Sequence, residues 1–266
     1  MTNLIGIDVD GTLVGSSGVV DERIWAAAAR ARAAGIHLTL CSGRAAFGTA
    51  LDYARRLEPS GWHVFQNGAS IVHLGTGESQ SARLPPEILQ ALIVKARLTG
   101  WVLELYSDSG YVVESTSAWA REHAELLGVP FEPRPFESFD EPIVRAQWVV
   151  SQNDAKVINA AGGAGVEIAQ SSSPLMPETI FVGLTRAGIS KGSAMRTVAA
   201  AYRIDLSETM YVGDARNDLP AFEVVGQPVA MGNADPAVLA AARRTVGHVN
   251  DAGLIQALQW AIESVA

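Results

Sequence analysis

Short apolar runs that each stop at a small polar loop limit this fold more than any other feature of the chain. Leu4–Val9 reads as a strand whose end carries Asp8 and Asp10, followed by Gly11 and Thr12. "IHLTLCSG" is a second strand, ending in Ser42 and Gly43, and "TMYV" is another, ending in "GDARND". Helical stretches lie between them. Asp21 is placed as an N-cap for a helix from Glu22 to about Ala34, closed by Gly35. A helix is expected from about Ala45 to Leu57, stopped by Pro59, and "HVFQNG" reads as a third short strand. Alternating strands and helices with uniformly apolar strands predict an α/β fold with a doubly wound, Rossmann-like parallel sheet. In such sheets ligands bind beyond the carboxyl ends of the strands, where these polar residues fall.

The middle of the chain has a different rhythm. "ASIVHLG" and "ESQSARL" look like paired strands. A helix "PPEILQALIVKARLTG", strands "WVLELYS" and "GYVVES", a helix from about Ala118 to Leu127 and a Pro-rich linker follow. Then come strand "VRAQWVVS", a helix near Ala155–Ala161, and strands "VEIAQSS" and "ETIFVGL". This is an α+β pattern, expected as an inserted domain over 84–185, with a core built from 1–83 and 186–266. "ISKGSAMRTVAAAYRID" returns to helix, with Ser190 as N-cap, and "PVAMGNADPAVLAAA" repeats the strand, polar loop and helix order.

Composition narrows the function classes. The 266 residues are 48% hydrophobic and 18% charged, enough apolar material for a sizeable core, and the net charge of -8 argues against a general nucleic-acid binder. No stretch approaches the roughly 20 apolar residues of a membrane span. The N-terminus lacks the basic segment of a signal peptide, and Cys41, the single cysteine, rules out an intrachain disulfide, so a reducing cytoplasm is the expected compartment.

Asp8 and Asp10 pose an electrostatic question. In an extended chain they share a face, repel and raise each other's pKa. If the "TMYV" strand lies beside the first, Asp214 and Asp218 join them, and Lys191, opening a helix, reaches the same edge. Four aspartates and one lysine leave three net negative charges, which one Mg²⁺ cuts to one. With metal, such a site cradles phosphate, and Mg²⁺ favours carboxylate and water oxygens. Ser42 and Gly43, beside a helix start, make an anion seat, and Gly11 and Thr12 offer N–H groups. One carboxylate can then attack phosphorus while the other donates and later accepts a proton.

"DVDGTL", "CSGR", "SKGSA" and "GDARND", in this order, resemble the four motifs of the haloacid dehalogenase superfamily. "GISKGSAM", "YVGDARNDLPAFEVVG" and "VAMGNA" resemble its Cof-type sugar-phosphate phosphatases; the likeness covers about 1–80 and 186–266. The resemblance implies Asp8 as nucleophile and Asp10 as general acid/base. It implies Mg²⁺ held by the Asp8 carboxylate, the Asp10 backbone carbonyl and Asp214, with Asp218 supporting the metal or its waters. Ser42, Lys191 and Asn217 are expected to hold phosphate, and Arg44 to touch substrate. The insertion would be a cap that selects the substrate. Cys41 stands where relatives often carry a smaller residue.

Simpler readings accompany several residues. Asp-Gly is a common turn dipeptide, and a lone Lys191 would be a surface lysine. Cys41 reads as a small buried residue, Asn67 as a turn residue, and Trp101, Trp119 and Trp148 as core. The five histidines show no metal-ligand spacing. The expected activity is a Mg²⁺-dependent phosphatase acting on a small phosphorylated metabolite, a sugar phosphate, with a phosphomutase or a non-catalytic phosphoacceptor as alternatives. The sequence assigns neither the substrate nor an oligomeric state.

Overall fold

Strand β1 (Leu4–Ile7) has all four residues buried. In the computed structural model, which describes residues 1–161, 163–173 and 175–265, the chain continues through α1 (Glu22–Ala33), β2 (His37–Leu40), α2 (Gly48–Leu57), β3 (Trp62–Phe65) and β4 (Ser70–His73). Next come α3 (Pro86–Thr99), β5 (Val102–Tyr106), β6 (Tyr111–Val113), α4 (Ala118–Leu127), β7 (Arg145–Ser151), α5 (Gln152–Ala161), β8 (Val166–Ser173) and β9 (Met176–Arg186). The last segment holds α6 (Lys191–Tyr202), β10 (Thr209–Gly213), α7 (Leu219–Phe222), β11 (Gln227–Ala230), α8 (Pro236–Ala241), β12 (Arg244–Thr245) and α9 (Leu254–Val265). Two compact units result. Met1–Arg44, Thr49–Gln80 and Ser190–Ala266 form one; Ala45–Gly48 and Ser81–Ile189 form the other.

The first unit is the expected Rossmann-like core. Its sheet runs β12-β11-β10-β1-β2, and every pairing is parallel. Ile7 is level with Val212 on one side and Leu40 on the other, so three strand ends reach one edge together. Parallel strands covered on both faces need continuous apolar runs, which "LIGI" and "TMYV" supply. On one face α6 packs Met195, Val198 and Ala199 against Leu4 and Tyr211. Gly6 allows this approach: a Cβ there would meet the Tyr211 ring at 2.6 Å and Met195 Sδ at 2.8 Å.

The sheet does not take β3 as a further strand. β3 pairs antiparallel with β4, and its backbone meets the end of β2 through a bridge between Cys41 and Val64. The outer edge of β2 is already satisfied by side chains. Leu38 N–H donates to Glu58 Oε2 at 2.6 Å, and Leu40 N–H donates to His63 Nδ1 at 3.1 Å. Gln66 and Asn67, with φ of 53° and 56°, turn the chain into β4. "ESQSARL" returns beside β4 as expected, but over a short stretch: Ser79 bridges Val72, His73 N–H donates to Glu78 O at 2.8 Å and Gln80 N–H to Ile71 O at 2.9 Å.

The second unit has the α+β character of a cap domain. Its antiparallel sheet runs β6-β5-β7-β9-β8. Trp148 is fully buried, Trp101 meets it edge-on at 6.0 Å, and Trp119 packs against a second apolar cluster on Val102, Val149 and Phe181. Glu104 is buried there with full hydrogen bonding: Tyr106 Oη donates at 2.6 Å, Gln147 Nε2 at 3.1 Å, and the His123 ring lies 2.7 Å away. Among the described residues no helix is long and apolar enough to cross a membrane.

Candidate active site

The end of β1 sets the geometry. Asp8 N–H donates to Val212 O at 3.0 Å, carrying the chain one residue farther along β10. Val9 O then accepts from the N–H groups of Thr12, Leu13 and Val14, which coils the chain into a tight turn. The turn separates the two aspartates that an extended strand would have put on one face. Asp8 is buried, whereas the Asp10 side chain is 61% exposed and pairs with Arg44. Gly11 N–H donates to Val14 O and Thr12 N–H to Val9 O, so neither is offered to a ligand as expected. The N–H groups of Val9 and Asp10 take no part in these turn bonds.

Lys191 fixes the nucleophile candidate from behind. It is the first residue of α6, placed by a Ser190–Ser193 capping box, and its side chain is fully buried. Its Nζ donates to Asp8 Oδ1 at 2.5 Å and to Asp218 Oδ1 at 2.7 Å. Asp218 Oδ1 also accepts from Tyr211 Oη at 2.8 Å, and its Oδ2 accepts the N–H groups of Asp214 and Ala215, each at 3.0 Å. Four protein donors thus occupy Asp218. It braces Lys191 and the Asp214 backbone while belonging, with Asp8 and Asp214, to the carboxylate cluster that could hold a metal ion.

Asp214 is half-buried; its Oδ1 accepts from Thr12 Oγ1 at 3.2 Å. Gly11, with φ +87°, lies so close that a Cβ there would stand 2.1 Å from Asp214 Oδ2. Asn233 completes this wall, with Nδ2 donating to Gly11 O at 2.8 Å and Oδ1 accepting from Val249 N–H at 2.9 Å. Neither Asn233 nor Tyr211 belongs to the four motifs that the sequence offers as site residues. Asn233 lies in "VAMGNA", where the repeated strand-then-polar-loop pattern was the signal.

Ser42 and Asn217 reach the same unit from other loops. Ser42 is buried, and its Oγ accepts from Arg44 N–H at 3.0 Å, leaving the hydroxyl proton to donate. The helix expected beside it starts only at Gly48, so Ser42 and Gly43 do not sit at a helix N-terminus. Asn217 is exposed, and its Nδ2 donates to Asn67 Oδ1 at 3.0 Å. Cys41 is a buried neighbour of Met195 whose thiol burial pushes strongly upward, so it is inert.

Charge in this pocket is unbalanced. Asp8, Asp214 and Asp218 each bring a carboxylate oxygen to within 4.8 Å of the others. Against Lys191 they leave two net negative charges. Burial raises the Asp8 pKa, Asp218 and Asp214 add to it, and the pull of Lys191 does not cancel them. Asp214 is raised too, by burial and then by Asp218. Burial alone would lower Lys191, but Asp8 and Asp218 outweigh it and hold the ammonium charged. A cluster of carboxylate oxygens short by two positive charges suits a divalent metal ion, which Asp8, Asp214 and Asp218 could hold.

Residues 5–258 match the family described as haloacid dehalogenase-like hydrolase. The chain belongs to the haloacid dehalogenase-like hydrolases. YxeH of Bacillus subtilis is 26% identical, over 97% of this chain and 97% of its own length. The 5-amino-6-(5-phospho-D-ribitylamino)uracil phosphatase YwtE of the same organism is 26% identical, over 86% of this chain and 87% of its own. A solved subclass IIB sugar phosphatase of the superfamily superposes with a TM-score of 0.79 over all of both chains at 22% identity, which establishes the shared fold. Family and relatives make this haloacid dehalogenase-like protein a phosphatase, acting on a phosphorylated substrate.

Proposed function

We propose that the protein hydrolyses a small sugar or polyol phosphate through an aspartyl phosphate on Asp8 and requires Mg²⁺. One observation carries the reading: a buried carboxylate at the end of the inner strand β1, fixed through Oδ1 by Lys191, in a pocket short by two positive charges. The Asp8 carboxylate attacks phosphorus and the ester P–O bond breaks. The leaving oxygen takes a proton from Asp10. Asp10 then removes a proton from water, the water oxygen attacks phosphorus, and the Asp8–phosphorus bond breaks to release phosphate. Lys191 holds Asp8 in place and offsets charge on the transferring group. Ser42 and Asn217 supply donors to the phosphate oxygens. Mg²⁺, held by Asp8, Asp214 and the Asp10 carbonyl, would add Lewis-acid charge to that group. The second unit is assigned substrate selection.

Support for the substrate class comes from the Cof-type motifs. The name of the YwtE relative, a phosphatase of a phosphoribityl compound, points the same way. The test is a phosphate-release screen over sugar and polyol phosphates with Mg²⁺, using Asp8→Asn as the blank. Release from one or more members, absent in the blank, is expected. No release from any of them, or phosphate moved within the substrate with none set free, overturns the reading.

A further inference from the structure

Arg44 was expected to touch substrate, but its side chain is committed to Asp10. Nη2 donates to Asp10 Oδ1 at 2.5 Å and Nε donates to Oδ2 at 3.0 Å, the two-pronged grip of a guanidinium on a carboxylate. The arginine is itself tethered. Nη1 donates to Thr49 Oγ1 at 3.0 Å, the backbone N–H to Ser42 Oγ at 3.0 Å, and the carbonyl accepts from Gln66 N–H at 2.9 Å. An ion pair this exposed adds little to stability. Its effect is on position: the Asp10 carboxylate stands outside the Asp8, Asp214 and Asp218 cluster, and among the described residues Arg44 is its hydrogen-bond partner.

We infer that Arg44 is a positioning residue: by gripping Asp10 it sets where the acid/base stands, and so how readily a proton reaches the leaving oxygen. This rests on the role proposed above for Asp10. A direct substrate anchor would behave differently, because losing it weakens binding of every ester alike.

The test compares p-nitrophenyl phosphate, whose leaving group needs little protonation, with phenyl phosphate, whose leaving group needs more. Wild type, Arg44→Ala, Arg44→Lys, Thr49→Val and Asp10→Asn are assayed with Mg²⁺. In Arg44→Ala, kcat for phenyl phosphate should fall roughly tenfold further than for p-nitrophenyl phosphate, with both KM values within about threefold of wild type. Asp10→Asn should show the same leaving-group pattern more strongly, Arg44→Lys an intermediate one, and Thr49→Val a weak one. A raised KM at unchanged kcat, or equal losses on both esters, overturns the inference while leaving the phosphatase reading intact. A wild type that releases no phosphate from either ester or from the metabolite screen overturns both.

Discussion

Lys191 donates to Asp218 across 2.7 Å with both side chains fully buried, and the same ammonium holds Asp8. Two charges taken out of water at this depth are tolerable only together. Asp218→Asn leaves the Lys191 ammonium with one carboxylate partner in place of two. The variant should lose about 3 kcal/mol of stability, within the range for breaking a buried pair. Urea denaturation in metal-free buffer measures it, and an unchanged midpoint would contradict the central place given to this pair.

Mg²⁺ should stabilise the folded protein without any substrate. A ligand that binds only the native state at one hundred times its Kd adds about 2.7 kcal/mol. Thermal melting with EDTA and then with excess Mg²⁺ should show Tm rising in the wild type and little or no rise in Asp214→Asn. The same rise in both proteins would remove Asp214 from the metal site.

Gly11→Ala should damage the site through geometry alone. The residue has φ +87°, and the added Cβ would fall 2.1 Å from Asp214 Oδ2. Backbone strain of this kind costs on the order of 1–3 kcal/mol. The expected outcome is a lower urea midpoint together with loss of the Mg²⁺-induced Tm rise. A variant that keeps both wild-type values contradicts the close packing described.

Acid should weaken the core through His63. Its ring is buried, with Nδ1 accepting from Leu40 N–H and Nε2 donating to Glu58 O at 2.8 Å. Burial pushes its pKa from 6.5 down to about 4. In that window the unfolded chain takes up a proton that the folded one refuses. The contribution is therefore complete above pH 6.5 and is lost as the pH falls toward 4. The slope from this residue is at most about 1.4 kcal/mol per pH unit. Urea midpoints between pH 7 and pH 5 should fall more steeply in the wild type than in His63→Asn, and equal slopes would contradict the assignment.

Much of the core was legible because its signals are local. "LIGI" and "TMYV" are continuous apolar runs, and a parallel strand covered on both faces needs little else to be recognised. Lys191 follows Ser190, a recognisable N-cap, and both α1 and α6 begin where capping chemistry places them. The errors come from contacts distant in sequence or specific to one turn. β3 leaves the parallel sheet because Glu58 and His63 side chains occupy the edge of β2. α2 starts late because Ala45–Gly48 packs with the second unit, where Phe47 stacks on Tyr106. Asp10 turns from Asp8 because Val9 O gathers three N–H groups; the Asp10-Gly11 dipeptide signals a turn but not where it sends the Asp10 side chain. Tyr211 reads as one more apolar strand residue until its hydroxyl is seen on Asp218.

The claim on which the account turns is that Asp8 carries the phosphoryl group. Acid quenching during turnover of a ³²P-labelled phosphate ester, followed by peptide mapping, tests it directly. Label is expected on the peptide containing Asp8 in the wild type with Mg²⁺ and none in Asp8→Asn, whose turnover should fall to about one-thousandth or less. Label on another residue, or an Asp8→Asn protein that turns over at the wild-type rate, would contradict it.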